Sequence, residues 1–216
     1  MYTKPISYSG MSLYFKCPKK WHDCYILGNR EPSGKAAERG TYLHDLLEKY
    51  FKGIGPYPTG NSCLAKWDKY MASLKARGLV AEGEVAVDKQ WGRAKYDDPE
   101  AWFRGKIDGD IEPADEVYDW KSGKVYDSHV DQGRAYAALR SANTPITTVR
   151  FVYLDIPHHV QEWRYSLGEI QDEKGYIDEK IQIIRLDEEW AANPTSGECH
   201  WCKLSWRNGG SCTSAP

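Results

Sequence analysis

The sequence predicts an α/β domain: a mixed central sheet with helices packed on both sides. Three observations predict it. Hydrophobic spacing is helical over the first third of the chain and changes to strand-like alternation after Gly78. The order along the whole chain is helix, strands, helix, strand, strand, helix, and such a sheet needs helices to cover its apolar faces. The 216 residues are 41% hydrophobic and 28% charged, enough for one domain, residues 1–216, with a sizeable core.

Each element has a local reason. Ser7 to Arg30 is aromatic and basic, and its first half reads as a helix ending near Cys17, because Pro18 disfavours helical backbone at the residue before it. Leu43, Leu46, Leu47 and Tyr50 follow the i, i+3, i+4, i+7 pattern of a helix over Lys35 to Phe51, which Gly53 and Gly55-Pro56 end. A second helix is expected over Ser62 to Arg77. Cys63, Trp67, Tyr70 and Leu74 share its apolar face, so Cys63 reads as a core residue. Glu84 to Asp88 alternates as a half-buried strand does. Trp102 to Ile111 and Glu116 to Lys121 read as two more strands, joined by the hairpin connector Glu112-Pro113-Ala114-Asp115. A helix from His129 to Ser141, capped by Asp127 or Ser128, precedes strands over Thr147 to Ile156 and Val160 to Leu167. A long helix from Glu169 to Trp190 closes the regular part. The tail from Asn193 to Pro216 holds Gly, Ser and three Cys, with little periodicity.

Composition excludes some functions. A net charge of −2 argues against a histone-like DNA binder, yet suits an enzyme whose carboxylates offset a local basic groove. Nine Trp and fifteen Tyr leave rings at the surface, where they could stack on bases. No run of about 18 apolar residues exists for a membrane span, and the N-terminus lacks a signal peptide's apolar region, so a cytoplasmic location is expected. In a reducing cytosol six Cys point to metal ligands or buried thiols rather than disulfides.

The chemistry gathers on the hairpin. Asp119 and Lys121 are two apart on one strand and point to the same face, and Asp108 lies on the adjoining strand. Two carboxylates there can hold a hard cation. The lysine can orient a water or offset charge building on a phosphate. Glycines flanking the set leave room for a substrate.

The runs Phe103-Arg104-Gly105-Lys106-Ile107-Asp108-Gly109-Asp110 and Val117-Tyr118-Asp119-Trp120-Lys121-Ser122-Gly123 resemble the RecB-like branch of the PD-(D/E)XK nucleases. Arg39-Gly40-Thr41-Tyr42-Leu43-His44 and Gln132-Gly133-Arg134-Ala135-Tyr136 match further family elements in the family's order, so the likeness covers nearly the whole chain. The resemblance implies the restriction-endonuclease-like fold and a site requiring Mg²⁺ or Mn²⁺. His44, Asp108, Asp119 and the Trp120 carbonyl match its metal ligands, and Asp108, Asp119 and Lys121 its catalytic set. Gln132 and Tyr136 match the helix lining the DNA side, with Arg134 or Arg140 expected beside them. Glu84 occupies a position where relatives often carry Glu but is not expected to be a ligand, and Asp110 is an outer acid or a decoy.

Cys199-His200-Trp201-Cys202, Cys212 and the distant Cys17 resemble the iron–sulfur members, AddB and the CRISPR-associated RecB-like exonucleases. There four thiolates hold a 4Fe–4S cluster and tie the chain ends together. Residues 1–30 and 193–216 would form that part here. Structural zinc is the rival, and Cys24 and His200 remain possible substitute ligands. The resemblance implies a DNA exonuclease working in recombination, repair or phage and mobile-element DNA processing, with a recombination or replication protein as a possible partner. The alternatives are a structure-specific endonuclease of the same superfamily, or a non-catalytic iron–sulfur adaptor in a recombination or CRISPR-adaptation complex.

Overall fold

The computed structural model describes residues 2–30, 32–140, 146–194 and 196–214. In chain order the elements are β1 (Ile6–Ser7), α1 (Tyr8–Lys16), α2 (Pro18–Tyr25), α3 (Lys35–Phe51), α4 (Asp68–Ala76), β2 (Val80–Val87), β3 (Arg93–Ala94), β4 (Phe103–Ile111), β5 (Glu116–Lys121), α5 (Ser128–Arg140), β6 (Ile146–Tyr153), β7 (Val160–Ser166), α6 (Leu167–Leu186) and α7 (Ser196–Trp201). The strands form one sheet in the order β3-β2-β4-β5-β6-β7, with β1 paired to β4. The β2–β4, β4–β5 and β6–β7 pairs are antiparallel, and β5–β6 is parallel, so the sheet is mixed.

The core lies on both faces of this sheet. On one side Met11, Trp21, Tyr136, Leu139, Ile177 and Ile181, from α1, α2, α5 and α6, pack against Phe103, Val149 and Phe151. On the other, Leu43, Leu47, Trp67 and Met71, from α3 and the α4 region, pack against Ile111, Tyr118 and Trp120. Parallel neighbours β5 and β6 cannot be joined by a tight turn, and α5 makes the crossover between them. Among the described residues no helix is long and apolar enough to cross a membrane.

Several elements differ from the sequence reading. Pro18 ends α1 as expected, but at a helix's first position its fixed φ and missing N–H are tolerated, so it also starts α2, with Cys17 extended (φ −160°) as the joint. The Ser62–Arg77 helix is divided: a 3₁₀ turn over Leu64–Trp67 precedes α4. Cys63 is half-buried beside that core and donates its thiol to the Leu154 carbonyl at 3.1 Å. The strand expected from Glu84 begins at Val80. The long helix ends at Leu186, because Asp187 turns extended and accepts the N–H groups of Glu189 and Trp190. The tail holds α7 and a 3₁₀ turn over Trp206–Asn208. Ser141, the expected end of the helix after His129, and the last two residues of the tail lie outside the described residues.

Candidate active site

The β4–β5 hairpin is joined by a 3₁₀ turn ending at Asp115, and its pairing runs from Ile111↔Glu116 to Gly109↔Tyr118. One step on, Asp108 and Asp119 come opposite, and no backbone pair is made there. The Asp108 Oδ2 instead accepts the Trp120 N–H at 2.7 Å, so the side chain takes the place of a ladder carbonyl and holds the strands apart. Asp119 is 3% exposed, beside Phe151 of β6. Lys121, two residues along, places Nζ 2.7 Å from Asp119 Oδ1 and 5.0 Å from the Phe151 ring. It donates to Gln132 Oε1 at 2.8 Å, and Gln132 in turn donates to the Tyr136 hydroxyl at 2.7 Å.

Gln132 and Tyr136 are one turn apart on α5 and share a face. That helix lies close to the sheet because Gly105 and Gly133 have no side chains. A Cβ on Gly105 would meet Leu139 Cδ1 at 2.8 Å, and one on Gly133 would meet the Tyr165 hydroxyl at 3.1 Å. Tyr136 is buried, so it anchors Gln132 rather than offering a ring to solvent.

From the other side α3 buries Leu43, Leu47 and Phe51, and this turns His44 toward the hairpin. Its Nε2 is 2.7 Å from the Trp120 carbonyl and its Nδ1 3.2 Å from Asp108 Oδ1. Four residues earlier Gly40 lets α3 approach the end of β5: a Cβ there would be 3.0 Å from Ser122 Oγ. Glu82 completes this edge. His44, Glu82 and Asp108 each offer one donor atom, all within 4.8 Å of one another. Sequence reasoning missed Glu82, because a strand begun at Glu84 leaves it out. Glu84 itself is exposed and paired with Lys106 at 2.8 Å. His129 was also passed over. Its ring stacks on Phe151 and its Nδ1 is 2.7 Å from the Tyr153 hydroxyl, with burial and Lys121 lowering its pKa to about 4.

The charges at this site strain against one another. Burial, then the neighbouring Asp108, raises the Asp119 pKa, while Lys121 and His44 oppose the rise. Burial alone would lower His44, but the Asp108 carboxylate outweighs it and lifts the imidazole to about 9. Burial, then Asp108 and Glu48, raises Glu82. The buried Asp119 Oδ1 faces the Lys121 ammonium but makes no hydrogen bond of good geometry. Carboxylates crowded in this way, with an imidazole and the Trp120 carbonyl beside them, fit a hard divalent cation.

The remaining predicted residues divide. Arg134 is not beside Gln132 and Tyr136: two positions round the helix, it turns to Asp131 at 3.6 Å and to a cavity bordered by Tyr8, Glu173 and Tyr176. Arg140 is buried and paired with Asp110 at 3.0 Å, so neither of these two faces the site. Cys17, Cys199, Cys202 and Cys212 line one small cavity with Lys19 and Leu204, and all are free thiols. Cys24 and His200 do not line it. Cys24 lies near the Asn29 carbonyl, and His200 borders a separate hollow with Trp201 and Arg207.

The PD-(D/E)XK nuclease superfamily model matches residues 5–207. The chain belongs to this superfamily. No curated protein matches it. Among solved structures, a "Putative exonuclease" from Eubacterium rectale is 13% identical with a TM-score of 0.56, covering 95% of this chain and 88% of that one. That likeness is one of fold. The protein SSO0001 is 14% identical with a TM-score of 0.47, covering 100% of this chain and 89% of that one. Superfamily membership gives the hairpin carboxylates and lysine their context: this fold is shared by enzymes that cut nucleic acids.

Proposed function

We propose that this protein is a metal-dependent DNA exonuclease, a single domain over residues 1–216, with Asp108, Asp119 and Lys121 as its catalytic set. The observation that carries the reading is the Lys121 ammonium, held between Asp119 and Gln132 at the splayed end of the hairpin. His44, Asp108, Asp119 and the Trp120 carbonyl would hold Mg²⁺ or Mn²⁺. When bound, the cation polarises the phosphate and acidifies water. Lys121 can orient the attacking water and offset the charge that builds on the phosphate oxygens. Gln132 keeps the ammonium in place, and Tyr136 keeps Gln132 in its rotamer. The face of the site beside Gln132 would receive the DNA backbone. An exonuclease mode agrees with the name of the E. rectale neighbour. Recombination, repair or mobile-element DNA processing would use such an activity.

We also read the four-thiol cavity as the seat of a 4Fe–4S cluster held by Cys17, Cys199, Cys202 and Cys212. The donor chemistry fits thiophilic iron. Zinc held by the same four thiolates is the rival, and metal analysis separates the two.

Incubation with end-labelled linear and covalently closed circular DNA, with and without Mn²⁺, tests the activity. Mn²⁺-dependent loss of the linear label with the circle left intact is the expected result. Cutting of the circle would make the enzyme an endonuclease, and no cutting of either would leave an adaptor. Iron and zinc analysis of anaerobically prepared protein tests the cluster. One equivalent of zinc without iron would replace it with a structural zinc site.

A further inference from the structure

Glu82 stands apart from every other carboxylate near the site. It lies on β2, whose pairing with β4 includes Ala81↔Gly109 and Gly83↔Ile107, so register puts it directly across from Asp108. Its backbone is left-handed, with φ +58°, between two neighbours that pair in the ordinary antiparallel way. A residue with a Cβ rarely adopts this conformation inside a strand, and glycine would adopt it without strain. A glycine is in fact the very next residue, Gly83. The chain has placed the charged residue at the strained position.

The side chain goes toward His44 and Asp108, where the donor atoms of the three lie within 4.8 Å. It is half-buried, and among the described residues it has no hydrogen-bond or ion-pair partner. Glu84, two residues on, makes an ordinary exposed pair with Lys106 at 2.8 Å. A second observation points the same way. Asp119 Oδ1, almost wholly buried on the far side of Asp108, is left without a well-formed hydrogen bond. Two carboxylates thus flank Asp108: Glu82 on β2, and Asp119 on β5, whose Oδ1 has only the poorly aligned Lys121 ammonium beside it.

We propose that Glu82 is a further protein ligand to the divalent cation, supplied by β2 and held toward the site by its left-handed backbone. This rests on the metal-dependent reading of the Asp108 site. Backbone strain at a position that glycine could fill is retained where it aims a functional group. A third carboxylate raises the affinity of an oxygen-rich site for a hard cation.

The test is Mn²⁺ binding, followed by electron paramagnetic resonance of free Mn²⁺, on the full chain without DNA. Glu82→Gln keeps the side chain's shape and removes its charge. It is expected to weaken Mn²⁺ by at least about tenfold, the scale on which metal-site groups act. Glu84→Gln, the control on the same strand, is expected to match the wild type. Glu82→Gly separates ligand from fold: relieving the left-handed strain should leave the melting temperature unchanged or higher while Mn²⁺ affinity falls. Asp108→Asn separates the two readings. If it abolishes Mn²⁺ binding while Glu82→Gln and Glu82→Gly bind normally, the Glu82 assignment is overturned and the site stands. If Asp108→Asn also binds normally, both are overturned.

Discussion

At the scale of single residues, the proposed chemistry depends on groups forced close together at the end of one hairpin. Lys121 contacts Asp119, Gln132 and the face of Phe151. Its replacement by Ala removes the ammonium at the splay. DNA cleavage is expected to fall by about 10²-fold or more, the usual result of deleting an electrostatic stabiliser, with the circular dichroism spectrum and DNA affinity retained. Activity within a few-fold of wild type would place the chemistry elsewhere. His44 gives a pH signature. Its pKa is raised to about 9, so without metal it carries a proton at neutral pH. A cation must displace that proton to use the imidazole. Mn²⁺ affinity is therefore expected to climb with pH, by up to about tenfold per unit, and to level off above about 9. In His44→Gln the climb should largely vanish. A wild-type affinity flat between pH 6.5 and 8.5, by calorimetric titration, would remove His44 from the ligand set.

Elements set where these residues go, and they leave marks on stability. On α6, burial raises the Glu173 carboxyl from 4.5 to about 7. The nearby Arg134 only partly opposes this, and Asp131 adds to it. A carboxyl with a raised folded pKa binds its proton more tightly in the native state. Its stabilising contribution is present below pH 4.5 and is lost as pH rises through about 7. Glu173→Gln should thus be more stable than wild type above pH 7, with the difference disappearing toward pH 4. Glu173 is only partly buried, so after discounting for solvent the gain is on the order of 1 kcal/mol, or about 2–4 °C in melting temperature. On α2, Trp21 is 1% exposed, stacked on Trp190 at 5.2 Å and edge-on to Tyr2 at 4.8 Å. Trp21→Ala is expected to cost about 3–5 kcal/mol in urea unfolding, against about 0.5 or less for the exposed Leu186→Ala.

For the whole molecule, the question is how the two chain ends are held against the sheet. Part of the answer is direct. The Tyr14 hydroxyl donates to Asp187 at 2.8 Å, Asn193 donates to the Lys16 carbonyl at 3.2 Å, and Trp190 packs between Trp21, Tyr14 and His22. The thiol cavity, lined by Cys17 at the α1–α2 joint and by three cysteines of the tail, would be a second tie if it holds the proposed cluster. A group bound there closes a long loop and restricts the unfolded chain. Cys202→Ser is expected to lower bound iron and the melting temperature by more than about 5 °C, with little effect on turnover at a temperature where the variant is folded. A variant that keeps its iron and its melting point would show that the cavity holds no cluster.

How much of this was legible depended on the distance over which each feature is decided. The β4–β5 hairpin and the faces of Asp119 and Lys121 follow from a two-residue period and a four-residue connector. The same holds for His44 beside buried Leu43 and Leu47, and for Gln132 one turn from Tyr136. These are local properties of strand and helix geometry, and the sequence determined them. It did not determine that Arg134 would turn to Tyr8 and Glu173, or that Arg140 would be buried against Asp110, because those outcomes depend on which helix packs beside α5. Nor did it reveal Glu82. Alternation assumes an extended backbone, and a single left-handed residue changes where a side chain points without altering the pattern of letters. Only the packed sheet, with α3 pressed against the end of β5 through Gly40, brings the imidazole, the β2 glutamate and the β4 aspartate to one point.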